Sequence, residues 1–153
     1  MNRCRILSIE GGGIKGVFPV SLLAEIESAL GIDSVANYSD LIAGTSVGGI
    51  IALGLGIGLT ARKMADFFVS EGPKIFPRYL IPSLIRLLFT GRDRYRPEHL
   101  RKALENVFKS RTLSESRVRL LIPAFDATNA DIHMVVGMPE AHGLKDMMIS
   151  FSL

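Results

Sequence analysis

The stretch LIAGTSVGG at residues 41–49 decides the fold. Its three apolar residues at the start predict a short buried strand, and the small apolar residues from Val47 onward predict a helix. Between them Gly44, Ser46 and Gly48 match the G-x-S-x-G pattern, in which a serine lies on a sharp turn between a strand and a helix. Ser46 is therefore the candidate nucleophile, with Gly44 and Gly48 as the nucleophile elbow. The alternative is an ordinary helix N-terminus capped by Ser or Thr.

A second glycine-rich turn lies upstream. Residues 5–9 predict a strand that runs into this turn, and the apolar spacing of residues 17–30, followed by Gly31, predicts a helix. Strand, helix and strand in this order predict a βαβ unit with parallel strands. Both turns should then lie at one edge of the sheet, so that backbone amides of the first face the Ser46 hydroxyl as an oxyanion hole. The turn consists of Gly11, Gly12, Gly13, Ile14, Lys15 and Gly16.

The same turn also satisfies G-x-G-x-x-G, the pattern of dinucleotide-binding Rossmann modules. That function requires an acidic residue at the end of the second strand to hold the ribose. Asp40 lies at the start of that strand, and the strand ends at Gly44. Dinucleotide binding is therefore the less favoured alternative.

The two motifs together, LSIEGGGIKG at residues 7–16 and DLIAGTSVGGIIALG at residues 40–54, resemble the patatin-like phospholipases. The resemblance implies a three-layer α/β fold with a mainly parallel central sheet. It also implies a serine lipid acyl hydrolase of the phospholipase A type, acting on membrane phospholipid with Ser46 as nucleophile. The oxyanion hole would be formed by Gly11, Gly12 and Gly13, with Lys15 at the family's basic position and Gly16 closing the turn. No cofactor and no metal are expected.

Two departures from the family pattern matter. Glu10 stands where the family usually has aspartate, which keeps the charge. The family's serine works with an aspartate in an Asp-Gly-Gly or Asp-Gly-Ala motif, and no such motif is present here. We therefore expect a partial patatin-like domain over residues 1–136, incomplete at its C-terminus, with a tail at 137–153 that does not resemble the family. The alternative is a catalytically inactive fragment. The seven aspartates are Asp33, Asp40, Asp66, Asp93, Asp126, Asp131 and Asp146.

The remaining chain predicts further elements. A helix is expected from Thr60 to Val69, broken near Gly72-Pro73, and another from Pro97 to Phe108. Residues 118–122 predict a third strand, and residues 132–136 predict a fourth that pairs with it as a hairpin. None of the histidines lies in a pattern that indicates a catalytic base: they are His99, His133 and His142.

Composition and charge limit the partners. The chain has 153 residues, 48% of them hydrophobic, and a net charge of +3, which is too small to indicate nucleic-acid binding. Its single cysteine, Cys4, and the lack of a visible signal peptide predict a cytoplasmic protein. Residues 41–61 carry no charge, but their glycines favour a buried strand, turn and helix over a membrane span.

A basic segment interrupts this even balance of charge. The segment from Lys74 to Arg119 contains twelve Lys or Arg residues but only four acidic residues. Within it, the apolar and arginine-rich residues 79–96 predict either a core helix or an amphipathic lid that contacts the membrane peripherally. Residues 59–77 and 95–126 resemble bacterial patatin-like effectors of cyclic-nucleotide antiviral signalling. That narrower resemblance implies a cyclic-nucleotide activator.

Overall fold

Four strands form one sheet in the computed structural model, which describes residues 3–75, 97–126 and 128–137. They are β1 (Ile6–Ile9), β2 (Leu41–Gly44), β3 (Arg119–Asp126) and β4 (Asp131–Gly137), and they lie in that order across the sheet. The first three run parallel, and β4 returns antiparallel to β3. The predicted α/β class with a mainly parallel sheet is confirmed, and the helices around the sheet agree with the three-layer arrangement.

Within the described residues, four α-helices connect and cover these strands: α1 (Val17–Leu30), α2 (Val47–Gly56), α3 (Ala61–Ile75) and α4 (Pro97–Phe108). The same part of the chain has three short 3-10 helices, at residues 13–16, 35–38 and 113–115. Helix α1 has the predicted bounds, because Gly31 follows it in the left-handed conformation at φ 62° and stops it. The core helix or lid predicted at residues 79–96 lies outside the described residues, as does the predicted tail at 137–153 apart from Gly137, which ends β4.

The predicted break near Gly72-Pro73 is wrong, because α3 continues through both residues to Ile75. Pro73 removes a backbone donor only near the end of the helix, where few turns depend on it. The last turn is instead fixed by packing: Gly72 is buried so close to the 3-10 helix at residues 13–16 that an added Cβ would lie 2.7 Å from Ile14 Cδ1. Tertiary contact therefore outweighs the local helix-breaking signal.

The predicted third strand is too short. Strand β3 runs on to Asp126 because β4 pairs with it along nearly its whole length, from Leu120 opposite Gly137 to Asp126 opposite Asp131. The predicted hairpin is confirmed. Its ladder is longer than predicted and includes Pro123, which pairs with Met134. A strand can accept proline where the missing donor falls outside the ladder.

The core lies between the sheet and its helices. Helix α2 is buried on nearly every side, and Ile51 and Leu55 within it are fully buried together with Ile42 of β2 and Leu120 of β3. A helix that is apolar all round belongs inside a globule. Across the ranges described above, no helix is long and apolar enough to cross a bilayer.

A buried acid joins α1, the 3-10 helix at residues 35–38 and the start of α3. Glu27 of α1 is 6% exposed, and its Oε1 accepts a hydrogen bond from the Val35 amide at 3.0 Å. Its Oε2 accepts a second from the Ala61 amide, at the start of α3, at 2.9 Å. Both carboxylate oxygens are therefore occupied by helix-leading amides, which ties α1 to the segments before β2 and after α2.

Candidate active site

Ser46 lies on the turn between β2 and α2, exposed to solvent. Its backbone has φ 53° and ψ −123°, a conformation that a residue other than glycine adopts only where the surrounding structure holds it. The Ser46 carbonyl accepts the Ile50 amide at 3.2 Å, which starts the first turn of α2. The Ser46 side chain makes no capping bond to that helix, so the alternative of a capping serine does not describe this turn.

The elbow glycines are set by backbone contact. A Cβ on Gly48 would collide with the Ile9 carbonyl of β1, and a Cβ on Gly44 would collide with the Gly48 carbonyl. Neither carbonyl can move without breaking the strand or helix that it belongs to. Strand, turn and helix can therefore close so tightly only with glycine at both positions.

The upstream glycine turn follows β1 directly. Gly12 and Gly13 have φ of 151° and 59°, and the Lys15 amide donates to the Gly12 carbonyl at 3.3 Å to close a 3-10 turn. Lys15 is exposed, whereas Gly16 is buried so closely against α2 that a Cβ would collide with Val47 Cγ1. The turn thus packs on the first residue after Ser46.

The two turns lie together, as the βαβ prediction requires. Ile9, at the end of β1, pairs with Gly44 at the end of β2, so both turns leave the same edge of the sheet. The Thr45 amide donates to the Ile9 carbonyl at 3.3 Å, and the Gly11 amide donates to Thr45 Oγ1 at 3.1 Å. A Cβ on Gly11 would lie 2.8 Å from Ser46 Cβ, which places the turn directly against the serine.

The acid needed for dinucleotide binding is at the wrong end of β2. Asp40 Oδ2 accepts the Arg5 amide at 2.7 Å, and the Arg5 side chain lies 3.6 Å from the same oxygen. The hydrogen bond from the Arg5 backbone, followed by the Arg5 charge, holds the pKa of Asp40 below its ordinary value. Asp40 therefore anchors the beginning of the strand, a full strand length from the glycine turns.

A second polar pair lies at the tip of the hairpin. His133 Nε2 is 3.5 Å from Asp126 Oδ2, a proximity that the sequence did not indicate because it depends on the hairpin register. The Asn129 side chain and the Thr128 amide also donate to Asp126, and these bonds lower its pKa. Asp126 thereby closes the turn between β3 and β4, which assigns the pair a structural role.

A metal site and a surface cavity are the other candidates for a functional site. Within residues 3–75, 97–126 and 128–137, no three metal-ligating side chains come together. A cavity of about 400 Å³ opens at the amino-terminal edge of the sheet, away from Ser46. Its polar lining includes Asp33, Asn37 and Arg117.

Comparison with known proteins agrees with the paired motifs. The family of patatin-like phospholipases matches residues 7–147. The chain belongs to this family. The match runs past residue 136, where the sequence predicts the domain to end, and that boundary stays a prediction.

Individual relatives include a "cGAMP-activated phospholipase" of Vibrio cholerae, 42% identical over 137 residues that cover 80% of this chain and 38% of the relative. A protein of the same description from Escherichia coli is 38% identical, over 80% of this chain and 36% of the relative. "Patatin-like protein 2" of Arabidopsis thaliana is 34% identical, over 82% and 34%. The chain thus spans little more than a third of these relatives. Membership in the family indicates lipid acyl hydrolase chemistry in general.

Proposed function

We propose that this chain carries the nucleophilic half of a patatin-like lipid acyl hydrolase, with Ser46 as nucleophile and membrane phospholipid as substrate. The observation that supports it best is the contact of the Gly11 turn with the Ser46 elbow at one edge of the sheet. The exposed and strained Ser46 backbone, and its hydroxyl free of any capping bond, support the same role.

In the proposed reaction, Ser46 Oγ attacks the ester carbonyl carbon and its proton passes to a base. The carbonyl oxygen becomes an oxyanion, which the amides of Gly12 and Gly13 stabilise together with the leading end of α2. When the C–O bond breaks, the alcohol leaves with a proton and the acyl group remains on Ser46. Water then releases the fatty acid and restores the hydroxyl. Lys15 and Gly16 complete the proposed turn around the oxyanion.

The proposed base is an aspartate that this sequence does not contain in the family's motif. We therefore propose that residues 1–136 form the N-terminal part of a patatin-like domain. The share of each relative that is covered supports this proposal, as does the exposed apolar face of the hairpin at Phe125, Ile132 and Met134. An Asp-Gly-Gly or Asp-Gly-Ala motif in the same genomic reading frame, after residue 153, would identify the base.

A fluorophosphonate probe tests the nucleophile in the purified chain, because the probe labels an activated serine. We expect one label, on Ser46, and its loss in Ser46→Ala. The matched control is Ser28→Ala, which removes another exposed serine, on α1, and should leave labelling unchanged. A folded chain that takes up no label would support the alternative, a catalytically inactive fragment.

The narrower likeness to the cGAMP-activated relatives supports a cyclic-nucleotide activator. We expect cGAMP to raise the labelling rate of Ser46, and an equal rate with and without it would contradict this part of the proposal. For peripheral membrane contact, binding to liposomes should rise with anionic lipid and fall with salt. It should weaken when Arg92, Arg94 and Arg96 are neutralised together; binding indifferent to lipid charge and salt would remove the contact from the proposal.

A further inference from the structure

The hydroxyl of Thr45, next to the nucleophile, connects the two glycine-containing turns. We propose that Thr45 is a positioning residue: its Oγ1 holds the Gly11 turn against Ser46 and so keeps the oxyanion-stabilising amides in place. This role rests on the proposed function of Ser46. The G-x-S-x-G pattern leaves this position free, so the motif alone assigns it nothing.

Thr45 bonds through each of its polar groups, and each bond reaches a different element. Its amide donates to the Ile9 carbonyl of β1 at 3.3 Å, and its carbonyl accepts the Gly48 amide of α2 at 2.9 Å. Its Oγ1 accepts the Gly11 amide at 3.1 Å. The two backbone bonds would survive any substitution. The side-chain bond depends on a hydroxyl at this position.

The Thr45 hydroxyl is not a helix cap. A capping hydroxyl accepts an amide of the helix that it leads, two or three residues downstream. Thr45 Oγ1 instead accepts an amide 34 residues upstream, across the edge of the sheet. Its bond therefore fixes the distance between two turns, whereas a capping bond would fix the start of α2.

Without this bond, the Gly11 amide can pair with water and the turn gains freedom to move. Gly12 and Gly13 follow in left-handed conformations that glycine leaves easily, so the turn has little stiffness of its own. A threonine is stiff at χ1, which sets its hydroxyl in place before substrate arrives. Misplacement of reacting groups by about 1 Å can slow a reaction about a hundredfold.

The test compares Thr45→Val, which replaces the hydroxyl by a methyl group of similar size, with Thr45→Ser, which keeps the hydroxyl. The matched control is Thr60→Val, because Thr60 Oγ1 accepts the Lys63 amide at 3.2 Å at the start of α3, at the other end of the sheet. Two quantities are measured in the full chain: the rate of fluorophosphonate labelling at Ser46, and the hydrogen-exchange rate of the Gly11 amide by NMR.

We expect Thr45→Val to slow labelling about ten- to hundredfold and to speed Gly11 exchange, with Thr45→Ser close to the wild type in both. Thr60→Val should lose stability and keep both rates. Equal labelling of Thr45→Val and Thr60→Val would overturn the positioning role while Ser46 remains the nucleophile. A folded wild-type chain that takes no label would instead support the catalytically inactive fragment, and would overturn the positioning role in this chain even if Gly11 exchange reports the bond.

Discussion

The substitution Gly11→Ala probes the contact on which the candidate site depends. The added Cβ would lie 2.5 Å from the Thr45 carbonyl oxygen and 2.8 Å from Ser46 Cβ. To regain ordinary van der Waals contact near 3.4 Å, the turn and the elbow would have to separate by about 0.6–0.9 Å. The Thr45 carbonyl cannot yield easily, because it accepts the Gly48 amide at the start of α2.

The expected effect on reactivity follows from that displacement. A shift close to 1 Å between nucleophile and oxyanion hole should slow Ser46 labelling by a factor of about 30–100. Overpacking of this kind also destabilises a folded protein by about 1–3 kcal/mol. Stability and reactivity therefore fall together, and a control has to separate them.

Gly31→Ala is that control. Gly31 ends α1 at φ 62° with no atom within 4 Å of an added Cβ, so alanine there meets backbone strain and no collision. The strain should cost about 1–3 kcal/mol, similar to Gly11→Ala, at a position far from Ser46. Urea denaturation measures both losses, and the second-order rate constant for fluorophosphonate labelling measures reactivity. If the two variants are labelled equally fast, the Gly11 turn takes no part in activating Ser46.

Two further predictions concern stability. Glu27→Gln turns one of two buried acceptor oxygens into an amide donor, so one helix-leading amide loses its partner and the free energy of unfolding should fall by about 1–3 kcal/mol in urea titrations. The control Glu25→Gln breaks only the exposed pair with Arg62 and should cost less than about 1 kcal/mol. Equal losses in the two variants would contradict the structural role assigned to Glu27. Because the folded-state pKa of Asp126 is lowered from 3.8, its contribution to stability is present above that value and lost as the pH falls through the folded-state pKa. Asp126→Asn should therefore flatten the loss of stability on acidification below about pH 4, and a slope as steep as the wild type's would refute this.

Local signals were sufficient for much of the fold. Helix α1 was predicted with its observed bounds, because its apolar spacing and its terminal glycine are both written in neighbouring residues. The strand-turn-helix around Ser46 was predicted for the same reason. The continuation of α3 through Pro73 was missed, because the stabilising contact there comes from Ile14, in the 3-10 helix before α1 and distant in sequence.

The candidate site divides in the same way. Ser46, Gly44 and Gly48 could be named from their pattern, and the structure places them where strand meets helix. The bond from the Gly11 amide to Thr45 could not be named, because it depends on how two distant turns approach each other. The Asp126–His133 proximity was missed on similar grounds, since it requires the hairpin register.

Strand register is what makes two separate motifs a single candidate site. Ile9 pairs with Gly44. Only this alignment brings Gly11, two residues after Ile9, within hydrogen-bond distance of Thr45, the residue after Gly44. A slip of two residues would keep every side chain on its own face but would move one turn along the other by about 6–7 Å, beyond the reach of a hydrogen bond. The elbow glycines resist such a slip, because the Ile9 carbonyl already lies where a Cβ of Gly48 would be. The close packing of small residues at 44 and 48 thus fixes the register, and the register places the Gly11 turn beside Ser46.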